Sequence, residues 1–206
     1  MVPETDLPRI EYNAELFRVV EPNKKVLDVG CSTGSLGAQL KKKKNCFVVG
    51  IDREEKLAKE AAEVYDDVIV ADVEKLDRLL YPSGFFDIIV FGDVLEHTVH
   101  PECVLKKFKP YLSSDGYILI SLPNIAYWTV RIDLLFGIFE YGNKGILDKT
   151  HLHFYTLKTA KQMIEGSGFR VVYVGNYNRF LKVPGRIWKS LFAHQIIFKA
   201  IKADRN

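Results

Sequence analysis

Five short apolar runs recur along the first 124 residues, the first four each followed by a stretch of helical composition. The runs are "KVLDVG", "CFVVGID", "DVIVAD", "FFDIIVFGD" and "GYILISLPN". Between them lie "SLGAQLKKKK", "EEKLAKEAAEV", "VEKLDRLL" and "PECVLKKFKPYL", rich in strong helix formers or opened by a proline suited to a first helical turn. Because apolar residues are consecutive rather than alternate, the strands are expected to be buried on both faces. Strands joined by helices imply a parallel sheet, so the chain is expected to be doubly wound α/β, with helices on both faces. A length of 206 residues fits one domain of this kind.

The regular alternation stops after the fifth run. Residues 125–153 are aromatic and irregular, and helical rhythm returns at "TLKTAKQMIEGSG", with Thr156 as its expected N-cap and Gly166 or Gly168 as its stop. "FRVVYVGNY" reads as a sixth strand, "PGRIWKSLF" as a short helix or loop, and "HQIIFKAIK" as a last strand. The expected division is an N-terminal helical segment at 1–22, a ligand-binding core at 23–124, an acceptor-side insert at 125–155, and closing helix and strands at 156–206. In open α/β sheets the ligand lies beyond the carboxyl ends of the strands, which selects the residues that matter.

Composition narrows the class. The sequence contains no apolar run long enough to span a membrane, and its first residues read as neither a basic leader nor an apolar signal region. Three widely spaced cysteines, with no Cys-x-x-Cys, argue against a disulfide framework or a zinc ribbon and suggest a reducing, cytoplasmic setting. The positive charge is concentrated from Lys182 onward, where six basic residues face one acidic, against a net charge of +3 for the chain. The run Lys41–Lys44 suits the negative end of a helix. No nucleic-acid-reading motif accompanies either basic stretch.

The carboxyl ends of the first four strands carry a repeated polar decoration. Strand one leads into "LDVGCSTGSLG", where Gly30 and Gly34 permit close backbone approach and helix N–H groups face an anion. Strand two ends at Asp52, twenty-four residues after Asp28, a spacing at which a carboxylate accepts from both hydroxyls of a ribose. Strand three ends at Asp72 and strand four in "FGDVLEH". A dinucleotide site remains open on the loop alone, but it prefers a longer glycine spacing and leaves "FGDVLEH" unexplained.

Taken in order, residues 23–124 resemble the class I S-adenosylmethionine-dependent methyltransferases. The resemblance implies a Rossmann-like, seven-stranded sheet, mostly parallel, whose last strand is inserted antiparallel. It implies S-adenosyl-L-methionine as cofactor and S-adenosyl-L-homocysteine as product. Asp28, Gly30, Cys31, Ser32, Thr33 and Gly34 would follow the methionine portion; Asp52 and Arg53 would meet the ribose; Asp72 and Val73 would flank adenine. Gly92, Asp93 and Val94 would form the floor. Ser32 stands where the family commonly has glycine.

The insert, "SLPNIAYW" through "GILDKTHLHFYTL", resembles a methyltransferase subgroup found with polysaccharide and lipopolysaccharide synthesis. That implies O-methylation of a sugar or glycan intermediate; the alternatives are a small-molecule (quinone- or metabolite-type) methyltransferase and an inactive cofactor-binding partner module. A neutral hydroxyl benefits from a base, and histidine suits that role. His97, His151 and His153 are the candidates, with Asp148 expected to orient His151. An extended "THLHF" places His151 and His153 on one face, where with Asp148 they make a possible metal set; no metal is the preferred reading. Tyr127, Trp128, Phe136, Phe139 and Tyr141 either stack on the acceptor or pack the insert. Arg131 and Lys149 are candidates to meet a phosphate, and "LKVPGRIWKSLF" to touch an anionic membrane surface.

Overall fold

A computed structural model of the chain describes residues 13–177 and 189–203. Seven strands form one sheet in the order β3-β2-β1-β4-β5-β7-β6. These are β1 (Lys25–Val29), β2 (Phe47–Asp52), β3 (Asp67–Val70), β4 (Phe86–Gly92), β5 (Leu112–Pro123), β6 (Phe169–Tyr177) and β7 (Gln195–Lys202). The pairs β1–β2, β1–β4, β2–β3 and β4–β5 are parallel. β7 enters between β5 and β6 and is antiparallel to both, the expected closing arrangement.

Register explains why the strands read as unbroken apolar runs. Along β1 and β4, Val26, Ile88 and Val90 pack on one face, with Leu16 of α1 (Ala14–Val19), Leu36 and Leu40 of α2 (Ser35–Lys44) and Ala61 of α3 (Glu55–Ala62). Their neighbours Leu27, Val29, Ile89 and Phe91 pack on the other, with Val104, Leu105 and Phe108 of α4 (Pro101–Phe108) and Ala160 and Ile164 of α6 (Leu157–Gly166). Successive side chains of a strand leave opposite faces, so a two-sided core requires apolar residues at every position. Strand order reverses between β1 and β4, which places the ligand crevice there.

Local signals mostly hold. Thr156 caps α6 through a reciprocal box with Thr159. The four lysines close α2, where Lys44 donates to the carbonyl of Phe17 at 2.5 Å and Lys41 pairs with Asp66 at 2.9 Å. One expectation fails: "VEKLDRLL" does not form a helix. Asp72 instead organises a single turn, its carboxylate accepting from Glu74 N–H and its carbonyl from Lys75 and Leu76. No further helical bonds follow; Leu79 N–H donates instead to the Tyr111 hydroxyl at 2.8 Å, and the Leu79 side chain is buried in the core.

The insert contains α5 (Trp128–Leu135) and an otherwise irregular path, tied by isolated bridges between Gly142 and Asp148 and between Asn124 and Tyr155. Asn124 is fully buried, donating to the carbonyls of Ser190 and Ala193, the latter just after the short α7 (Lys189–Phe192). Among the described residues no helix is long and apolar enough to cross a membrane. Most of the candidate membrane-touching stretch lies outside the described residues.

Candidate active site

Two adjoining cavities open at the carboxyl ends of β1, β2, β3 and β4, and they share Gly30 and Asp93. One is lined by Asp52, Arg53, Asp72, Val73, Val94, His97 and Thr150 among others. The other is lined by Asp28, Cys31, Ser32, Thr33, Leu16 and Gly92. Twelve of the thirteen residues expected at the cofactor therefore face this crevice. Gly34 does not: it is the left-handed N-cap of α2, and a Cβ there would lie 2.9 Å from the Tyr65 ring and 3.0 Å from Ala61. Its left-handed backbone and its close packing on Tyr65 and Ala61 both require glycine.

The loop after β1 needs its unusual backbone. Gly30 has φ +73°, and an added Cβ would fall 2.3 Å from Val94 Cγ2. Ser32 has φ +49°, so it adopts the left-handed form that favours glycine at this position. The Asp52 carboxylate fixes this loop to the next, accepting from Ser32 N–H at 2.8 Å and from Glu54 N–H at 2.9 Å. Asp93 is also left-handed, φ +54°, and its oxygens accept from Ser121 Oγ at 2.8 Å and Gln195 Nε2 at 2.7 Å.

Asp28 is buried and its pKa is pushed up to about 6, chiefly by burial, against the opposing effect of the Tyr65 hydroxyl. That hydroxyl donates to Asp28 Oδ2 at 2.6 Å and accepts from Gly37 N–H at 3.0 Å. The Tyr65 ring fills a slot that exists because Gly34, Gly37 and Gly50 lack side chains; a Cβ on any of them would come within 3 Å of it. Tyr65 is a positioning residue that sequence reasoning missed, and the three glycines around it were its only trace.

Acids line the cavities along their length, Asp28, Asp52 and Asp72 among them. These carboxylates are acceptors suited to a ligand that carries a positive charge with amino and hydroxyl donors, which is the chemistry of S-adenosylmethionine.

The stretch "DKTHLH" docks beside this crevice. Leu152 and His153 N–H groups bond the Glu96 carbonyl at 2.8 and 3.2 Å, and His97 Nδ1 lies 3.1 Å from the Thr150 carbonyl. The His97 and His151 rings meet edge-on, centroids 4.7 Å apart. His151 Nδ1 lies 3.0 Å from the Ile146 carbonyl, and burial holds its pKa below the usual value. Asp148 does not orient His151. It turns to Thr150, accepting from its N–H at 2.8 Å and its hydroxyl at 2.7 Å, bonds that hold its pKa down.

The segment carrying His151 and His153 is irregular rather than extended, and the two rings meet different carbonyls, of Ile146 and of Val99. His153 Nε2 sits 3.2 Å from the Val99 carbonyl, and Asp148, His151 and His153, the alternative metal set, are not brought together. A trio the sequence reading passed over comes together instead: Glu96, His97 and His151. Its trace was the "EH" pair in "FGDVLEH".

In the insert, Phe139, Tyr141 and Phe154 form a ring cluster with centroids 5.4–6.2 Å apart, and Tyr127 meets Trp128 and His194. Phe136 is 74% exposed, and Ile132, Leu135 and Ile138 are exposed beside it in sequence. Arg131 donates Nε to the Ala126 carbonyl at 2.6 Å.

A profile of the family described as "Methyltransferase domain" matches residues 9–174. The ubiquinone biosynthesis O-methyltransferase of Coxiella burnetii is 28% identical over 178 residues, covering 73% of this chain and 75% of that protein. A putative methyltransferase solved in complex with the Haloferax volcanii Trm112 activator superposes with a TM-score of 0.67 at 13% identity, covering 95% of this chain and 91% of that one. The magnesium protoporphyrin IX methyltransferase of Synechocystis, solved with S-adenosylhomocysteine bound, gives a TM-score of 0.62 at 18% identity, covering 88% and 75%. At those identities the two structures speak to fold alone.

Proposed function

The chain belongs to the methyltransferase-domain family and is an S-adenosylmethionine-dependent enzyme; on that premise we propose that it O-methylates a small, apolar, quinone-type acceptor. The observation that carries this reading is the apolar, aromatic character of the insert, which reaches the crevice through Thr150. Its exposed surface includes Ile132, Leu135, Phe136, Phe139 and Tyr141. An aromatic acceptor matches such a surface through apolar contact and ring packing. The relative named for ubiquinone O-methylation supports the same acceptor class. The saccharide reading has no counterpart among the relatives above.

The cofactor supplies a methyl group on a positively charged sulfur. Transfer is an in-line displacement in which the enzyme gains chiefly from proximity and orientation. Asp28 would face the methionine ammonium, Asp52 the ribose hydroxyls, and Asp72 with Val73 the adenine. Val94, tight against Gly30, would form the floor. The attacking hydroxyl would meet the His97–His151 pair, the groups at this rim able to deal with its proton. The test is methyl transfer from labelled S-adenosylmethionine to two acceptor panels. Turnover of catechols and hydroxyquinols is expected; turnover confined to nucleotide sugars or glycans overturns the acceptor assignment.

A further inference from the structure

Glu96, in the 3-10 turn Leu95–His97, is 1% exposed, and neither of its carboxylate oxygens has a hydrogen-bond partner. A buried carboxylate without partners is among the costliest arrangements a fold can retain. Adding a proton removes the charge but leaves the new hydroxyl without an acceptor. Something external must satisfy it.

The neighbours indicate what. His97 and His151 each turn Nδ1 toward a main-chain carbonyl, of Thr150 at 3.1 Å and of Ile146 at 3.0 Å. A carbonyl only accepts, so the proton sits on Nδ1 and the Nε2 lone pair is left available. Metal-bound histidines are oriented in this way, with the far ring N–H held by a carbonyl or carboxylate. One ligand atom from each of Glu96, His97 and His151 lies within 4.8 Å of the others. Asp93 lies close by, but both its oxygens are engaged by Ser121 and Gln195.

We propose that Glu96, His97 and His151 bind one first-row divalent transition cation at the rim of the cofactor crevice, and that this cation receives the acceptor hydroxyl. Two imidazoles and one carboxylate favour manganese, iron, cobalt or zinc over the all-oxygen preference of magnesium and calcium. Three protein ligands leave positions open for substrate, as catalytic metal sites require. Coordination releases the hydroxyl proton to solvent. The oxygen then forms the O–CH3 bond while the S–CH3 bond breaks, its electron pair remaining on sulfur. This use of the metal rests on the methyl-transfer reading and deepens it: the histidines act through the cation rather than as free bases.

The test uses the full chain, stripped with chelator and titrated with Co2+ by absorbance and calorimetry, with S-adenosylhomocysteine binding measured in the same samples. One equivalent of Co2+ is expected with ligand-field bands. Glu96→Gln, and separately the less buried His151→Ala, are expected to weaken it by at least about 100-fold. Retained binding of S-adenosylhomocysteine by the variants shows that they are folded. Wild-type protein that binds S-adenosylhomocysteine but no stoichiometric Co2+, or folded variants that bind Co2+ as wild type does, overturns the site. Protein that binds Co2+ through these residues but no S-adenosylhomocysteine upholds the site and overturns the methyl-transfer role.

Discussion

Replacing Tyr65 by phenylalanine removes one oxygen atom and tests how the first loop is held. The ring keeps its slot among Gly34, Gly37 and Gly50, so packing is retained. Lost are the 2.6 Å bond to Asp28 and the acceptor for Gly37 N–H. A hydrogen bond to a charged group contributes about 1.5–3 kcal/mol, and a neutral one about 1 kcal/mol. Which value applies depends on Asp28, whose pKa burial raises from 3.8 to about 6.

Because the folded value lies above the unfolded one, Asp28's contribution to stability is fully present below pH 4. It is lost as pH rises through about 6, by roughly 3 kcal/mol for some two pKa units. Without the hydroxyl the folded pKa rises further, so the mutant loses more than wild type above pH 6. Tyr65→Phe is therefore expected to destabilise the ligand-free protein by about 2–3 kcal/mol at pH 8 but only about 1 kcal/mol at pH 5. Urea unfolding at the two pH values reads this directly, as midpoint shifts at unchanged slope. An equal loss at both values refutes the assignment of a charge-assisted Tyr65–Asp28 bond.

Three further outcomes follow from the same geometry. Gly30→Ala forces a Cβ to within 2.3 Å of Val94 Cγ2 at φ +73°, and should cost about 2 kcal/mol or more; adding Val94→Ala should recover the steric part, as a double-mutant cycle will show. Thr156→Ala removes the α6 cap and should lower stability by about 1 kcal/mol, leaving S-adenosylhomocysteine affinity unchanged by calorimetry. If Asp28 meets the methionine ammonium, that affinity should fall by up to about tenfold per pH unit below about 6, as Asp28 takes up a proton; a flat profile between pH 7 and 5 removes Asp28 from the ligand.

The sheet was legible because period and position are local properties. "KVLDVG" and "FFDIIVFGD" carry apolar residues on both strand faces, and that alone requires covering helices on each side. Strand-end acids were legible for the same reason: Asp52 and Asp72 close their runs. What sequence could not reveal depended on side chains meeting across the fold. Tyr65 reaches Asp28 over thirty-seven positions, and His97 meets His151 over fifty-four. "THLHF" misled because its alternation suggests a strand, whereas Leu152 and His153 instead bond one carbonyl, that of Glu96. Asp148 was assigned to His151 by nearness in sequence, but Thr150, nearer still, offers it two donors.

The central claim is that the joined cavities around Gly30 and Asp93 hold the cofactor, with Asp52 bracing the loop and facing the ribose. Isothermal titration of the purified chain with S-adenosylhomocysteine measures it most directly. One site per chain is expected, weakened by about 10–100-fold in Asp52→Asn, the equivalent of about 1.4–2.8 kcal/mol. Wild-type protein that takes up no S-adenosylhomocysteine, or an Asp52→Asn variant that binds it as tightly as wild type, contradicts the account.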